Sequence, residues 1–105
     1  MKIKRKVGDK MKSWEGKLTV KNLNLRAEVK VKVNTNRGGL KKWRGVGRTK
    51  QWREIGEIFK NQEGNGFKSN LGNILIKRIN DMGPPEVTFD FVINEPSKYL
   101  INQFE

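Results

Sequence analysis

The chain has 105 residues, enough for one small domain and too few for a multidomain enzyme. Lys and Arg number 23 against 11 Asp and Glu, which gives a formal net charge of +12. Cys and His are both absent, which excludes disulfides, thiolate or imidazole chemistry and zinc sites built from these residues. We therefore predict a single domain over residues 1–105 without a metal or cofactor.

The N-terminal half predicts three antiparallel strands. Residues 14–20 form the first, joined by a tight connection or a bulge to residues 23–33, where apolar and polar side chains alternate. The apolar set is Leu23, Leu25, Ala27, Val29, Val31 and Val33. The Asn- and Gly-rich segment 34–39 predicts a turn, and residues 40–48 return as the partner strand.

Residues 51–61 fit two patterns. Four apolar side chains follow a helical stripe: Trp52, Ile55, Ile58 and Phe59. Gly56 weakens a helix, however, and the loop 62–66 suits a connection between strands. We favour a strand here, paired with residues 67–71 in a further hairpin.

The C-terminal part predicts another hairpin. Residues 72–79 and 87–93 are its strands, and Pro84 and Pro85 stiffen the turn between them. Residues 96–105 suit either a short helix or an edge strand, and spacing does not separate the two.

Together these segments predict an all-β, mainly antiparallel protein of six to seven strands, with room for one short helix. Turn signals every 8 to 12 residues or so are typical of a small barrel or a strongly curved sheet. A sheet that does not close leaves unpaired edges, so a homodimer formed through an edge remains an alternative. The high like charge opposes such a dimer at low salt.

Residues 55–71 read I-G-E-I-F-K-N-Q-E-G-N-G-F-K-S-N-L. They resemble a short pattern of small uncharacterised proteins of phages, plasmids and other mobile elements, I-G-x-x-[WF]-x-N-x-x-G-x-G-F-x-x-x-L. The resemblance covers about a sixth of the chain and implies a mobile-element origin and a β-hairpin, but no activity. In that hairpin Phe59 and Phe67 would form a cross-strand pair.

Positive charge is concentrated in the first half of the chain. Residues 1–54 hold 18 Lys and Arg and 4 Asp and Glu, whereas residues 55–105 hold 5 and 7. The densest stretch, residues 37–53, contains no acid and two tryptophans. Such a cluster predicts a surface for a polyanion, although a purely solubilising basic face is the alternative.

We predict that this stretch binds nucleic acid, single strands in preference to duplex, without sequence specificity. Lys and Arg would contact phosphates while aromatic rings stack on bases. The candidate binding residues are Arg37, Lys41, Lys42, Trp43, Arg44, Arg48, Lys50, Trp52 and Arg53. Gly45 and Gly47 would let the ligand approach the backbone or mark a bulge. Each Trp has the alternative of a core position, which we favour for Trp14.

Other function classes fit less well. The runner-up is a small mobile-element protein that binds or inhibits a host protein partner through its basic face. We expect no enzymatic activity, because the spacing of Glu54 with Glu57, and of Asp81 with Asp90, matches no catalytic motif. No apolar run reaches 18 residues, so we expect no membrane span and no signal peptide, and a cytoplasmic protein.

Overall fold

The computed structural model describes residues 12–64, 66–81 and 86–104, and within them six strands form one antiparallel sheet. The strands are β1 (Lys12–Val20), β2 (Leu25–Thr35), β3 (Lys41–Thr49), β4 (Phe67–Ser69), β5 (Gly72–Asp81) and β6 (Val87–Pro96), and the helices are α1 (Trp52–Asn61) and α2 (Lys98–Gln103). The strand order is β1-β2-β3-β6-β5-β4. The sheet curls into a half-barrel, which confirms the predicted fold class.

Strands β1, β2 and β3 form the meander predicted from the N-terminal half. The alternation in β2 buries every second side chain, from Leu25 to Val33, against the core. A 3-10 turn (Lys21–Leu23) and Asn24, at φ 51°, connect β1 to β2. In the β2–β3 turn Asn36 Oδ1 accepts hydrogen bonds from the backbone N–H groups of Gly38 and Leu40, which fixes the reversal.

Strands β5 and β6 form the predicted C-terminal hairpin. Ile76 lies opposite Phe91, and β6 also pairs with β3, where Gly45 lies opposite Phe91 on the other side. This β3–β6 pairing joins the two hairpins into one sheet. Pro84 and Pro85 lie outside the described residues.

The prediction of a strand over residues 51–61 is wrong, because this segment forms α1. Ile55 and Ile58, one helical turn apart, are both fully buried, and burial of this stripe outweighs the cost of Gly56. The hairpin with residues 67–71, which the resemblance also implied, is therefore wrong, and so is the pairing of Phe59 with Phe67. Phe59 is 44% exposed on the helix, and Phe67 lies opposite Ile74 on β5.

The C-terminal segment forms a helix, the first of the two alternatives left open. The Ser97 hydroxyl oxygen accepts a hydrogen bond from the backbone N–H of Leu100, which caps the first turn of α2. Leu100 is fully buried, so this short helix covers part of the core. Within the described ranges, none of the helices is both long and apolar enough to pass through a bilayer.

Asn70, in the turn between β4 and β5, ties the two ends of the curled sheet together. Its backbone N–H donates to Thr19 O, its Oδ1 accepts from Thr19 N–H, and its Nδ2 donates to Lys17 O. One residue thus pairs with the outer edge of β1 as a short strand would. The half-barrel is bridged at this point without further strand pairing.

Candidate nucleic-acid interface

Strand β3 divides the predicted basic segment between the two sides of the sheet. Its burial alternates from Trp43 to Thr49, so that Trp43, Gly45, Gly47 and Thr49 face the core. Lys42, Arg44, Val46 and Arg48 face solvent. We call these two sides the inner face and the outer face.

Trp43 belongs to the core. It is 8% exposed, lies beside Val33 and Ile93 in the sheet, and packs edge-on against Phe104 with ring centroids 5.1 Å apart. The prediction that Trp43 serves as a stacking platform for bases is wrong, and the core alternative holds.

Gly45 and Gly47 also serve the core, and Gly45 in addition lines the groove on the outer face described below. A Cβ atom at Gly45 would collide with the ring of Phe91, and one at Gly47 with the ring of Phe89. The two phenyl rings of β6 fill the space that the missing side chains leave on β3. The glycines therefore allow close packing of an aromatic layer.

Lys50, Trp52 and Arg53 lie at the junction of β3 with α1, away from the groove described below. Trp52 is partly buried and packs against the core, and the Arg53 guanidinium lies 5.3 Å from the centre of its ring. This cation–π contact covers part of the indole. Trp52 is thus a weaker stacking candidate than its sequence position predicts.

The nine candidate residues do not form one cluster. Arg37 and Lys41 lie in and beside the β2–β3 turn, at the opposite end of β3 from Lys50. At about 3.3 Å per residue the two ends of this strand are roughly 25–30 Å apart. Arg48 and Lys50 line a hollow of about 280 Å³ together with Glu28 and Glu86, so the charge there is mixed.

Two like charges lie opposite each other in the middle of the outer face, and Glu15 of β1 lies opposite Lys30 beside them. Lys32 of β2 lies directly opposite Arg44 of β3, and Lys30 lies opposite Val46. Lys30 and Lys32 fall outside the predicted site because they precede the basic segment. The strand alternation and the pairing of β2 with β3 were the signals that could have found them.

These cations line a groove on the outer face with a volume of about 600 Å³. Val46, which is 53% exposed, and Val92 of β6 form its apolar floor. Its charged lining residues are Lys30, Lys32, Arg44, Lys77 and Asp90. The groove therefore combines a cationic rim with an apolar base.

One ion pair lies elsewhere on the outer face, and a second involves Asp90 of the groove lining. Arg48 Nη2 lies 3.2 Å from Glu28 Oε1, and Arg78 Nε lies 3.8 Å from Asp90 Oδ2. Over residues 12–64, 66–81 and 86–104, neither Lys30, Lys32 nor Arg44 has a carboxylate oxygen within 4.0 Å. Like charges directly opposite each other destabilise a sheet, so the Lys32–Arg44 pair is a cost in the free protein.

Of the carboxylates considered in the sequence, Glu54 and Glu57 lie on α1 and Asp90 lies on β6. Glu54 and Glu57 lie one turn apart on α1. In the part of the chain that is described, no group of three or more Asp and Glu is arranged to hold a metal ion.

Comparison with known proteins adds no relationship: no family, no curated protein and no solved structure matches this chain at a significant level.

Proposed function

We propose that the protein binds single-stranded nucleic acid on the outer face of its sheet, mainly through the phosphates. The observation that carries this proposal is the Lys32–Arg44 pair, which has no carboxylate oxygen within 4.0 Å among the described residues and lies beside Lys30. A phosphate bound between the two cations offsets their mutual repulsion. Binding of the ligand therefore stabilises the Lys32–Arg44 pair.

The spacing of the cations suits an extended polyanion. Side chains on one face of a strand repeat about every 7 Å, and neighbouring strands are about 4.8 Å apart. Lys30 and Lys32 on β2, and Lys42 and Arg44 on β3, therefore form two short parallel rows. Because these rows belong to paired strands, the backbone positions of the cations are fixed before the ligand arrives.

Electrostatic attraction contributes a larger share of the proposed binding free energy than the sequence predicts. Trp43 is buried and Trp52 is partly covered, so neither offers an open ring to bases. The affinity should consequently fall steeply with salt, with a log–log slope of about −0.7 for each phosphate neutralised on a single strand. Nucleic acid is abundant in the cytoplasm, where we place the protein.

The test compares two triple variants with the same change in net charge. In the first, Lys30, Lys32 and Arg44 are replaced by Gln. In the matched control the replaced residues are Lys21, Lys60 and Lys98, which are exposed on the 3-10 turn, α1 and α2. Fluorescence anisotropy of a labelled single strand at several salt concentrations is the measurement.

We expect the first variant to lose affinity and to flatten the salt slope by about 2, which corresponds to three phosphate contacts. The control should keep a slope close to that of the wild type. Equal losses in both variants would contradict a defined site. Absence of oligonucleotide binding by the wild type, with a protein co-purifying through the basic face, would favour a protein partner instead.

A further inference from the structure

We infer that the groove on the outer face holds one unstacked base, and that Asp90 accepts a hydrogen bond from its exocyclic amine. This inference rests on the proposed function and adds a base preference to it. The preferred bases are those that present an amine, such as cytosine, over thymine or uracil, which present a carbonyl oxygen at the same place.

Asp90 is the acidic side chain in the lining of this groove. It lies opposite Val46 on one side and opposite Arg78 on the other. Its Oδ1 accepts a hydrogen bond of 3.1 Å from Asn80 Nδ2, and its Oδ2 lies 3.8 Å from Arg78 Nε. The carboxylate is thereby oriented, and because its side chain is 39% exposed it keeps capacity for a further donor.

A phosphate alone does not explain this arrangement. A carboxylate repels phosphate, so a purely phosphate-binding groove would be better without Asp90. A base amine is a donor that suits a carboxylate, as in the pairing of Asp or Glu with cytosine N4. The mixture of cations on the rim with one acceptor inside therefore matches a whole nucleotide rather than its phosphate.

The apolar floor of the groove suits the face of a base, and its cationic rim suits the flanking phosphates. Val46 and Val92 offer apolar contact to one side of a base, and the Arg44 guanidinium, beside Val92 in the sheet, can stack on a base plane. Lys30 and Lys32 then lie within reach of the flanking phosphates. The groove volume of about 600 Å³ falls within the usual range for small-ligand sites, about 300–1,000 Å³.

The test uses three single-stranded DNA oligomers of equal length, about twelve nucleotides. These are oligo-dC, oligo-dT and an abasic strand that has phosphates but no bases. Equilibrium binding at one salt concentration is measured for the wild type, Asp90→Ala and Val46→Ser. Both substitutions are at surface positions, and circular dichroism checks that each variant folds.

For the wild type we expect oligo-dC to bind about fivefold more tightly than oligo-dT, and both to bind more tightly than the abasic strand. Asp90→Ala should raise the affinity for all three strands, because a negative charge is lost, while the dC-to-dT ratio falls to about one because the acceptor is lost as well. Val46→Ser should reduce the advantage of the base-containing strands and leave abasic binding unchanged.

Two results overturn the inference and leave the proposed function intact. The first is equal binding of oligo-dC and oligo-dT by the wild type, and the second is a dC preference that persists in Asp90→Ala. Failure of the wild type to bind any of the three strands overturns the proposed function together with the inference.

Discussion

The two faces of β3 come from the same nine residues and differ in almost every property. On the inner face, Gly45 and Gly47 have no side chain and receive the rings of Phe91 and Phe89 from β6. On the outer face, Arg44 lies opposite Lys32 without a carboxylate partner in the described residues. The comparison assigns stability to the inner face, and our proposal places binding on the outer face.

The largest expected effect is on the inner face. Phe91→Ala removes a ring that is 1% exposed and leaves a cavity beside Gly45, so we expect a loss of about 3–5 kcal/mol in the free energy of unfolding. The matched control is Val92→Ala, next in sequence but on the outer face, with a loss below about 1 kcal/mol. Urea unfolding followed by circular dichroism measures both. Similar losses would show that the two faces do not differ in this way.

The glycines allow a second test of the inner face. Gly45→Ala places a methyl group against the Phe91 ring, and we expect a loss of about 1–3 kcal/mol from overpacking. In the control Gly38→Ala the new Cβ meets Asn36 Oδ1 at 3.5 Å, an ordinary contact, and the change should stay within about 0.5 kcal/mol. If space is the cause, Gly45→Ala combined with Phe91→Leu should lose less than the sum of the two single losses.

Closure of the half-barrel should depend on Asn70. Asn70→Ala removes the side-chain hydrogen bonds to Thr19 and Lys17, and we expect a loss of about 1 kcal/mol in unfolding free energy. Asn73→Ala is the control, because it removes one exposed hydrogen bond to Glu95 from the neighbouring strand. Thermal unfolding that ranks Asn73→Ala as the more harmful change would argue against a bridging role for Asn70.

The smallest expected effect is on the outer face. Arg48→Gln breaks the ion pair with Glu28, whose side chains are 61% and 63% exposed, so the change in stability should be below about 0.5 kcal/mol. Chemical unfolding at low and high salt is the measurement. A loss comparable to that of Gly45→Ala would mean that outer-face charges hold the fold together.

Much of the fold follows from residue alternation, and the exceptions have physical causes. In β2 every buried position is apolar, so the strand and its two faces can be predicted from the sequence. In β3 two inward positions are glycines and one outward position is Val46, so apolar and polar residues do not alternate. The sequence pattern therefore does not predict which side of the sheet Trp43 faces. The volume that fills this part of the core comes from Phe89 and Phe91, more than 40 residues later in the chain.

The helix α1 and the groove depend on tertiary packing and strand pairing, which residue spacing in the sequence does not predict. Residues 51–61 satisfied both a helical and a strand interpretation, and burial of Ile55 and Ile58 in the curled sheet decides between them. The groove depends on strand pairing, because Lys30, Arg44 and Asp90 come from three separate strands.

The central claim is that the outer face, and not the helical side, receives the nucleic acid. A titration of ¹⁵N-labelled protein with a short single strand, followed by amide chemical shifts, tests it most directly. We expect the largest changes at Lys30, Lys32, Arg44 and Val46, with little change in α1 and α2. Changes centred on the helices, or spread evenly over all exposed lysines, would contradict the claim.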